Sequence, residues 1–164
     1  MSIIIGIAKG LAYLHHECNP TIVHLDINPQ NILLDKNYTP KLGDFGLAKI
    51  LDGSNENMIT LASTSTPGKR GYMAPEILTS KEASPKSDVY SFGVLLMHLV
   101  NEIPFILDGD EIDIYRFIKW AQKVRVQKDG FKDIIDYVVI NNSIVGFNHN
   151  EAKLILQISL KCIQ

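Results

Sequence analysis

The chain has 164 residues, of which 46% are hydrophobic and 21% charged, with 11 Gly and 7 Pro, values of an ordinary globular domain rather than a disordered or fibrous chain. Lys and Arg total 16 against 18 Asp and Glu, a net charge of -2, so no long-range field gathers a polyanion and a nucleic-acid partner is not expected. Two cysteines, Cys18 and Cys162, with no CxxC or Cys/His spacing, exclude a disulfide-dense scaffold and a structural zinc site, and the chain reads as intracellular.

Taken in chain order, the first residues show no basic flank or small-residue cleavage site of a signal peptide. Ile3, Ile4, Ile7, Leu11 and Leu14 recur at three- and four-residue steps, which predicts an amphipathic core helix ending before Asn19-Pro20. His15 and His16 read as residues of that helix end, placed favourably in its dipole. From Thr21 to Leu47 the pattern changes to short apolar runs, Ile22-Val23, Ile32-Leu33-Leu34 and Lys41-Leu42, broken by Pro29, Pro40 and Asp35-Lys36-Asn37, and this predicts small strands and turns. Residues 51–80 are rich in Ser, Thr, Gly, Asn and Pro; a connection this long is a candidate regulatory loop. Thr60, Ser63, Thr64, Ser65 and Thr66 within it read either as phosphorylation sites or as a solvated cluster. Ser84-Pro85 supplies an N-cap and a first-turn Pro ahead of Val89, Phe92, Val94, Leu95, Leu96 and Leu99, a pattern apolar on nearly every side and therefore a buried central helix. Its apolar run, Val94 to Val100, falls far below the roughly 18 residues of a membrane span, so no membrane contact by this segment is expected. Helical periods return at residues 112–126 and 151–162, the second with Asn150 as the expected N-cap. Trp120, with Tyr115 and Phe117, reads as core or a partner groove.

The chemistry lies in the middle of the chain. His24-Leu25-Asp26 is followed by Asn31, by Asp44-Phe45-Gly46 and by Ala74-Pro75-Glu76. A hairpin turning at residues 35–40 sets Leu34 opposite Lys41 and brings Asn31 opposite Asp44. One amide oxygen and one carboxylate, hard donors and few, suit Mg²⁺ completed by water and phosphate oxygens. Asp26, five residues before Asn31, is expected to point into the same cleft, a position suited to accepting a hydroxyl proton in a phosphoryl transfer.

These residues resemble a known family. His24-Leu25-Asp26-Ile27-Asn28-Pro29-Gln30-Asn31 is similar to the catalytic loop of protein kinases, Asp44-Phe45-Gly46 to their metal-binding motif, Ala74-Pro75-Glu76 to the end of their activation segment, and Asp88-Val89-Tyr90-Ser91-Phe92-Gly93 to the start of their central helix. Tyr13-Leu14-His15-His16 and Asn31-Ile32-Leu33-Leu34-Asp35 look most like plant receptor-like Ser/Thr kinases. The resemblance implies a mainly α chain of an α+β family, the helical large lobe of the kinase fold with a small β-hairpin at the catalytic loop. It makes residues 1–164 a partial kinase domain, with catalytic loop 24–31, metal motif 44–46, activation segment 44–76 and helical subdomain 84–164. It implies Asp26 as catalytic residue, Asn31 and Asp44 as Mg²⁺ ligands, and Leu33, Asn31 and Asp44 as contacts of ATP. ATP and Mg²⁺ are expected only if a small lobe is supplied, since no GxGxxG and no strand Lys stand in this sequence. The partner class implied is a protein substrate or signalling protein. The implied location is the cytoplasmic side of the plasma membrane for a receptor-like kinase, whose full-length relatives carry a transmembrane helix, and otherwise the cytoplasm.

Several residues depart from the family pattern. Leu25 stands where many kinases carry an Arg that grips phosphate, so gating through that position is not expected. Asn28 replaces a Lys that neutralises the transferring phosphoryl group, an exchange expected to cost roughly 10² to 10³ in rate. Lys69 replaces a Thr and is expected to form an ion pair with Asp26. His98 and Glu102 replace a Glu and a Gly, which affects local packing. In the family an Arg beyond a stretch like Cys162-Ile163-Gln164 pairs with the Glu matched by Glu76; if Glu76 is buried as there, leaving it unpaired is expected to cost about 3 to 5 kcal/mol. His24 is expected to be structural, packed under Phe45 and bonded to backbone near Asp88. Three readings stay open: a Ser/Thr kinase fragment inactive in isolation, a pseudokinase or interaction module, and a truncated non-functional gene product.

Overall fold

A computed structural model describes residues 1–51, 58–62, 68–101 and 149–163. The predicted helix at 112–126, the aromatic group at Tyr115, Phe117 and Trp120, and the departures or hydroxyls at Glu102, Ser63, Thr64, Ser65 and Thr66 lie outside those residues. The chain forms two compact units, Met1–Phe92 and Gly93–Gln164.

The first unit opens with α1, Ser2–Ala12, whose Ile4, Ile7 and Leu11 are buried at the predicted spacing. A wider helical turn, Tyr13–Glu17, carries the stripe on through Leu14 and His15, and the backbone becomes extended at Cys18 ahead of Asn19-Pro20. Three short antiparallel pairs follow; the strands that hold Val23, Leu33 and Lys41 fall on segments read as strands, while those that hold Lys49, Ile59 and Glu82 lie outside those segments. β1, Ile22–Val23, pairs with β4, Lys49–Ile50. β2, Ile32–Leu34, pairs with β3, Pro40–Leu42. β5, Ile59–Thr60, pairs with β6, Glu82–Ala83, which joins the middle of the long loop to the chain beyond it. The β2–β3 hairpin rests on α1, and two glycines of α1 allow the approach. A Cβ on Gly6 would overlap the ring of Pro40, and one on Gly10 would meet Leu42 Cδ1 at 3.2 Å.

Between β5 and β6 a single 3₁₀ turn, Arg70–Tyr72, leads into the short α2, Pro75–Thr79. Helix α3, Pro85–Asn101, then starts as its sequence predicts. Ser84 Oγ accepts from the Lys86 amide at 3.2 Å, Ser87 Oγ accepts from the Ser84 amide at 3.2 Å, and Pro85 occupies the first turn. This is a reciprocal cap in which Ser replaces the usual Glu or Gln.

In the second unit Val94, Leu95, Leu96, Met97 and Val100 are buried, while Leu99 stays on the exposed side. The last helix, α4, His149–Cys162, buries Ala152, Ile155, Leu156, Ser159 and Leu160. It begins at His149, so Asn150 lies inside its first turn and is not the N-cap. At Gly93 the chain end of α4 comes close to α3. A Cβ there would lie 2.7 Å from Cys162 Cβ and 2.8 Å from Ile163 Cγ2, and Ser159 Oγ donates to the Gly93 carbonyl at 2.7 Å. The fold is mainly helical with short strands, as read from the sequence. Among the described residues no helix is long and apolar enough to cross a membrane.

Candidate active site

The site is organised from beneath by Asp88, on the first turn of α3. Its side chain is fully buried. Oδ2 accepts from the His24 amide at 2.8 Å and Oδ1 from the Leu25 amide at 2.8 Å, while His15 Nε2 lies 2.9 Å from Oδ2. These are charge-assisted bonds, shorter and stronger than neutral ones. They hold Leu25 in a left-handed conformation, φ 67°, which costs a non-glycine residue about 1–2 kcal/mol. Leu25, read from sequence as the loss of a phosphate-binding Arg, is 3% exposed and belongs to the core beneath the loop. His15 was read as a helix-end residue; its position four residues after Leu11, on the apolar stripe, is the signal that separates it from the exposed His16.

His24 is structural, as expected. Its ring lies 4.8 Å from that of Phe45, centroid to centroid. Its Nδ1 faces the Asp26 amide at 3.3 Å and accepts from it, which leaves Nε2 to donate to the Gly43 carbonyl at 3.0 Å. The ring thus ties residues 24–26 to residues 43–45. The bond to Asp88 runs through the His24 amide rather than through the ring.

Asp26 is half-buried, and both of its carboxylate oxygens are held. Oδ1 accepts from Asn28 Nδ2 at 2.9 Å and from the Lys69 amide at 3.1 Å; Oδ2 accepts from Asn31 Nδ2 at 2.7 Å. The two asparagines also donate to the Asp26 carbonyl, at 3.1 and 2.9 Å. Asn28, 2% exposed, uses its own Oδ1 to accept the Gln30 amide at 3.0 Å and so caps the turn Pro29–Asn31. The sequence showed Asn28 as a missing cation; the structure gives it a packing and positioning task. Lys69 also differs from expectation: its backbone amide, not its ammonium, meets Asp26. The approach depends on Gly68, at φ 95°, where a Cβ would come within 2.5 Å of the Leu25 carbonyl oxygen. A carboxylate offers about four lone-pair directions, so three donors leave room for one more hydrogen bond.

The hairpin register corrects the sequence reading by one residue. Leu34 lies opposite Pro40, Leu33 opposite Lys41 and Ile32 opposite Leu42. Asn31 therefore faces Gly43, whose amide donates to the Asn31 carbonyl at 2.9 Å, and Asp44 comes one residue later. In a regular strand a slip of one sends a side chain to the other face. Asp44 has left the strand, with φ 57° and ψ 76°, so alternation no longer decides its direction. Its carboxylate is exposed, with Oδ1 accepting from the Gly46 amide at 3.2 Å. Asn31 spends its amide nitrogen on Asp26, which leaves the amide oxygen as its remaining donor atom to a cation. An amide oxygen and an exposed carboxylate are hard ligands, few in number, and fit Mg²⁺ better than a soft transition metal. Among the described residues no three His, Cys, Asp or Glu side chains cluster into a metal cage. Leu33 is 57% exposed and Phe45 46%, leaving apolar surface at this edge.

Glu76, in α2, departs from the expected unpaired state. It is half-buried and accepts from Ser87 Oγ at 2.8 Å. Tyr72, at the end of the turn that precedes α2, is 5% exposed, and burial pushes its hydroxyl pKa up to about 12. Thr60 lies in β5, exposed and paired with Glu82.

Comparison with known proteins bears on this geometry. The model of the family described as protein kinase domain matches residues 1–157. An LRR receptor-like serine/threonine-protein kinase of Arabidopsis thaliana, FEI 2, is 38% identical over 168 residues, covering 99% of this chain and 26% of its own length. The proline-rich receptor-like protein kinase PERK7 of the same plant is 44% identical over 140 residues, covering 83% and 19%. A receptor-like protein kinase of Ipomoea nil is 37% identical over 166 residues, covering 99% and 14%. The chain thus spans about a quarter or less of the length of these relatives.

Proposed function

The chain belongs to the protein kinase domain family, and on that premise we propose that it is the large-lobe part of a Ser/Thr protein kinase domain of the plant receptor-like kind. On this reading residues 24–31 are the catalytic loop, 44–46 the metal motif, 44–76 the activation segment and 84–164 the helical subdomain. It transfers phosphate from ATP to protein hydroxyls when a small lobe completes the nucleotide pocket, and is inactive as an isolated chain. The relatives' names support the class of reaction; on the receptor-like reading the domain works on the cytoplasmic side of the plasma membrane.

The observation that carries the proposal is the Asp26 carboxylate, fixed by three N–H donors with one acceptor direction left. Asp26 is the catalytic residue. It orients the substrate hydroxyl and takes its proton as the oxygen attacks the terminal phosphorus, forming the phosphoester while the phosphoanhydride bond breaks and ADP leaves with the bridging oxygen. Asn31 Oδ1 and the Asp44 carboxylate would hold Mg²⁺, which neutralises charge on the phosphate oxygens when bound. Leu33 offers an exposed apolar side chain to the nucleotide base. His24 moves no proton; it keeps the two loops in register.

A second reading, an interaction module without catalysis, is favoured by one observation. Every group that holds Asp26 is electrically neutral, and position 28 carries no charge toward a phosphoryl group, a loss of roughly 10² to 10³ in rate. The test is labelled phosphate transfer from ATP to a basic protein. The 164-residue chain alone is expected to show none. The same chain joined to a small lobe is expected to label Ser or Thr, and Asp26→Ala to abolish the label. Equal labelling by Asp26→Ala would overturn the assignment of Asp26, and no labelling with ATP still bound would favour the interaction module.

A further inference from the structure

We propose that Lys69 selects protein substrates that carry an acidic residue next to the accepting hydroxyl. The inference rests on the kinase reading and names the substrate class of that same site.

Lys69 is tethered to the reacting centre by its backbone, with its amide nitrogen 3.1 Å from Asp26 Oδ1. The Tyr72 amide donates back to the Lys69 carbonyl at 2.9 Å, and the turn Arg70–Tyr72 follows at once. The Lys69 backbone is therefore fixed on both sides, by Asp26 and by the turn. The Lys69 side chain is half-buried and Arg70 is exposed. The ion pairs seen among the described residues, His15–Asp88 and Lys41–Asp35, leave the Lys69 ammonium out. A hydroxyl accepted by Asp26 lies about 3 Å from that carboxylate. The residues flanking it in an extended substrate have Cα atoms only about 3.8 Å from its own. A carboxylate on a flanking residue thus comes within reach of a four-carbon lysine stem anchored at the same carboxylate. The Lys69 cation at this point favours an acidic flank and opposes a basic one.

The contact to Asp26 is made by a backbone amide, so the Lys69 side chain can be exchanged without breaking it. This makes charge reversal a clean test. Fluorescence anisotropy on the 164-residue chain would compare three Ser peptides differing only in the flanking residue, Asp, Ala or Lys. The acidic peptide is expected to bind about fivefold tighter than the neutral one, the scale of a single exposed ion pair. The preference should shrink as salt rises from about 0.05 to 0.5 M, because such pairs are screened. Lys69→Glu should invert the order and Lys69→Gln should erase it; circular dichroism of both variants checks the fold. Equal binding of the three peptides, or a preference that survives Lys69→Glu, would overturn the proposal. Phosphate transfer by the chain joined to a small lobe separates the two readings. Transfer without acidic preference removes this inference and keeps the kinase reading. Acidic preference in binding without transfer keeps the Lys69 contact with acidic peptides but removes the kinase reading and, with it, the assignment of those peptides as substrates.

Discussion

Replacing Asp88 by Ala should come close to unfolding the site from below. The carboxylate is fully buried and accepts from two backbone amides at 2.8 Å, with an imidazole nitrogen at 2.9 Å. Hydrogen bonds to a charged group contribute about 1.5–3 kcal/mol each, and a donor left buried without a partner costs about 1–3 kcal/mol. The three losses are not additive, since His15 can turn and water can enter the gap, so about 3–5 kcal/mol is the expected total. That is a large part of the roughly 5–15 kcal/mol that holds a domain together. Asp88→Asn keeps one acceptor oxygen but sets an NH₂ against one of the amide donors, and should lose less, about 1–3 kcal/mol. Urea unfolding followed by circular dichroism reads both. With a slope of about 1–3 kcal/mol per molar, the midpoint for Asp88→Ala should fall by about 2 M with the slope unchanged. A loss under about 1 kcal/mol for Asp88→Ala would show that the strained Leu25 backbone is held by something other than this carboxylate, and the account of the site would fail.

Gly68→Ala places a Cβ within 2.5 Å of the Leu25 carbonyl at a backbone φ of 95°; in the chain joined to a small lobe it should lower turnover at least tenfold, measured by phosphate transfer, while ATP affinity stays level. Tyr38 is 73% exposed and adopts φ 59° in the hairpin turn, so Tyr38→Asn, a residue that tolerates the left-handed region, should raise stability by about 0.5–1 kcal/mol in urea unfolding. The Asp35 carboxyl is held below its ordinary value of 3.8 by the Thr39 amide first and the Asn37 amide second. A depressed folded pKa means that the stability Asp35 adds is present above pH 3.8 and is lost as pH falls through the lower folded value. Asp35→Asn should therefore flatten the acid limb of a stability profile below about pH 4, and an unchanged limb would count against the turn's role.

The hairpin shows where sequence reasoning stops. Pro40 has no amide hydrogen and was assigned to the turn, which made a six-residue loop and set Asn31 against Asp44. The structure closes a five-residue loop instead, in which Tyr38 donates to the Asp35 carbonyl and the Asp35 amide to the Thr39 carbonyl. Pro40 then stands at the end of β3, where a missing donor is tolerated. One left-handed residue, Tyr38, decides the register, and nothing in a tyrosine announces φ 59°. Asn28 is similar. Its type told only that a cation was absent, and its bonds to Asp26 and Gln30 required the loop to fold.

Helix spacing, the cap at Ser84-Pro85, the strands β1, β2 and β3 and the order of the motifs were legible in the sequence, because they follow from local periods and from residue types with few conformational choices; the strands β4, β5 and β6 were not. The pairing of His15 and the 24–25 backbone with Asp88, the amide of Lys69 on Asp26, and Ser87 on Glu76 were not. Each joins residues 11 to 73 positions apart, and such contacts are set by how packed elements meet, which no local pattern encodes.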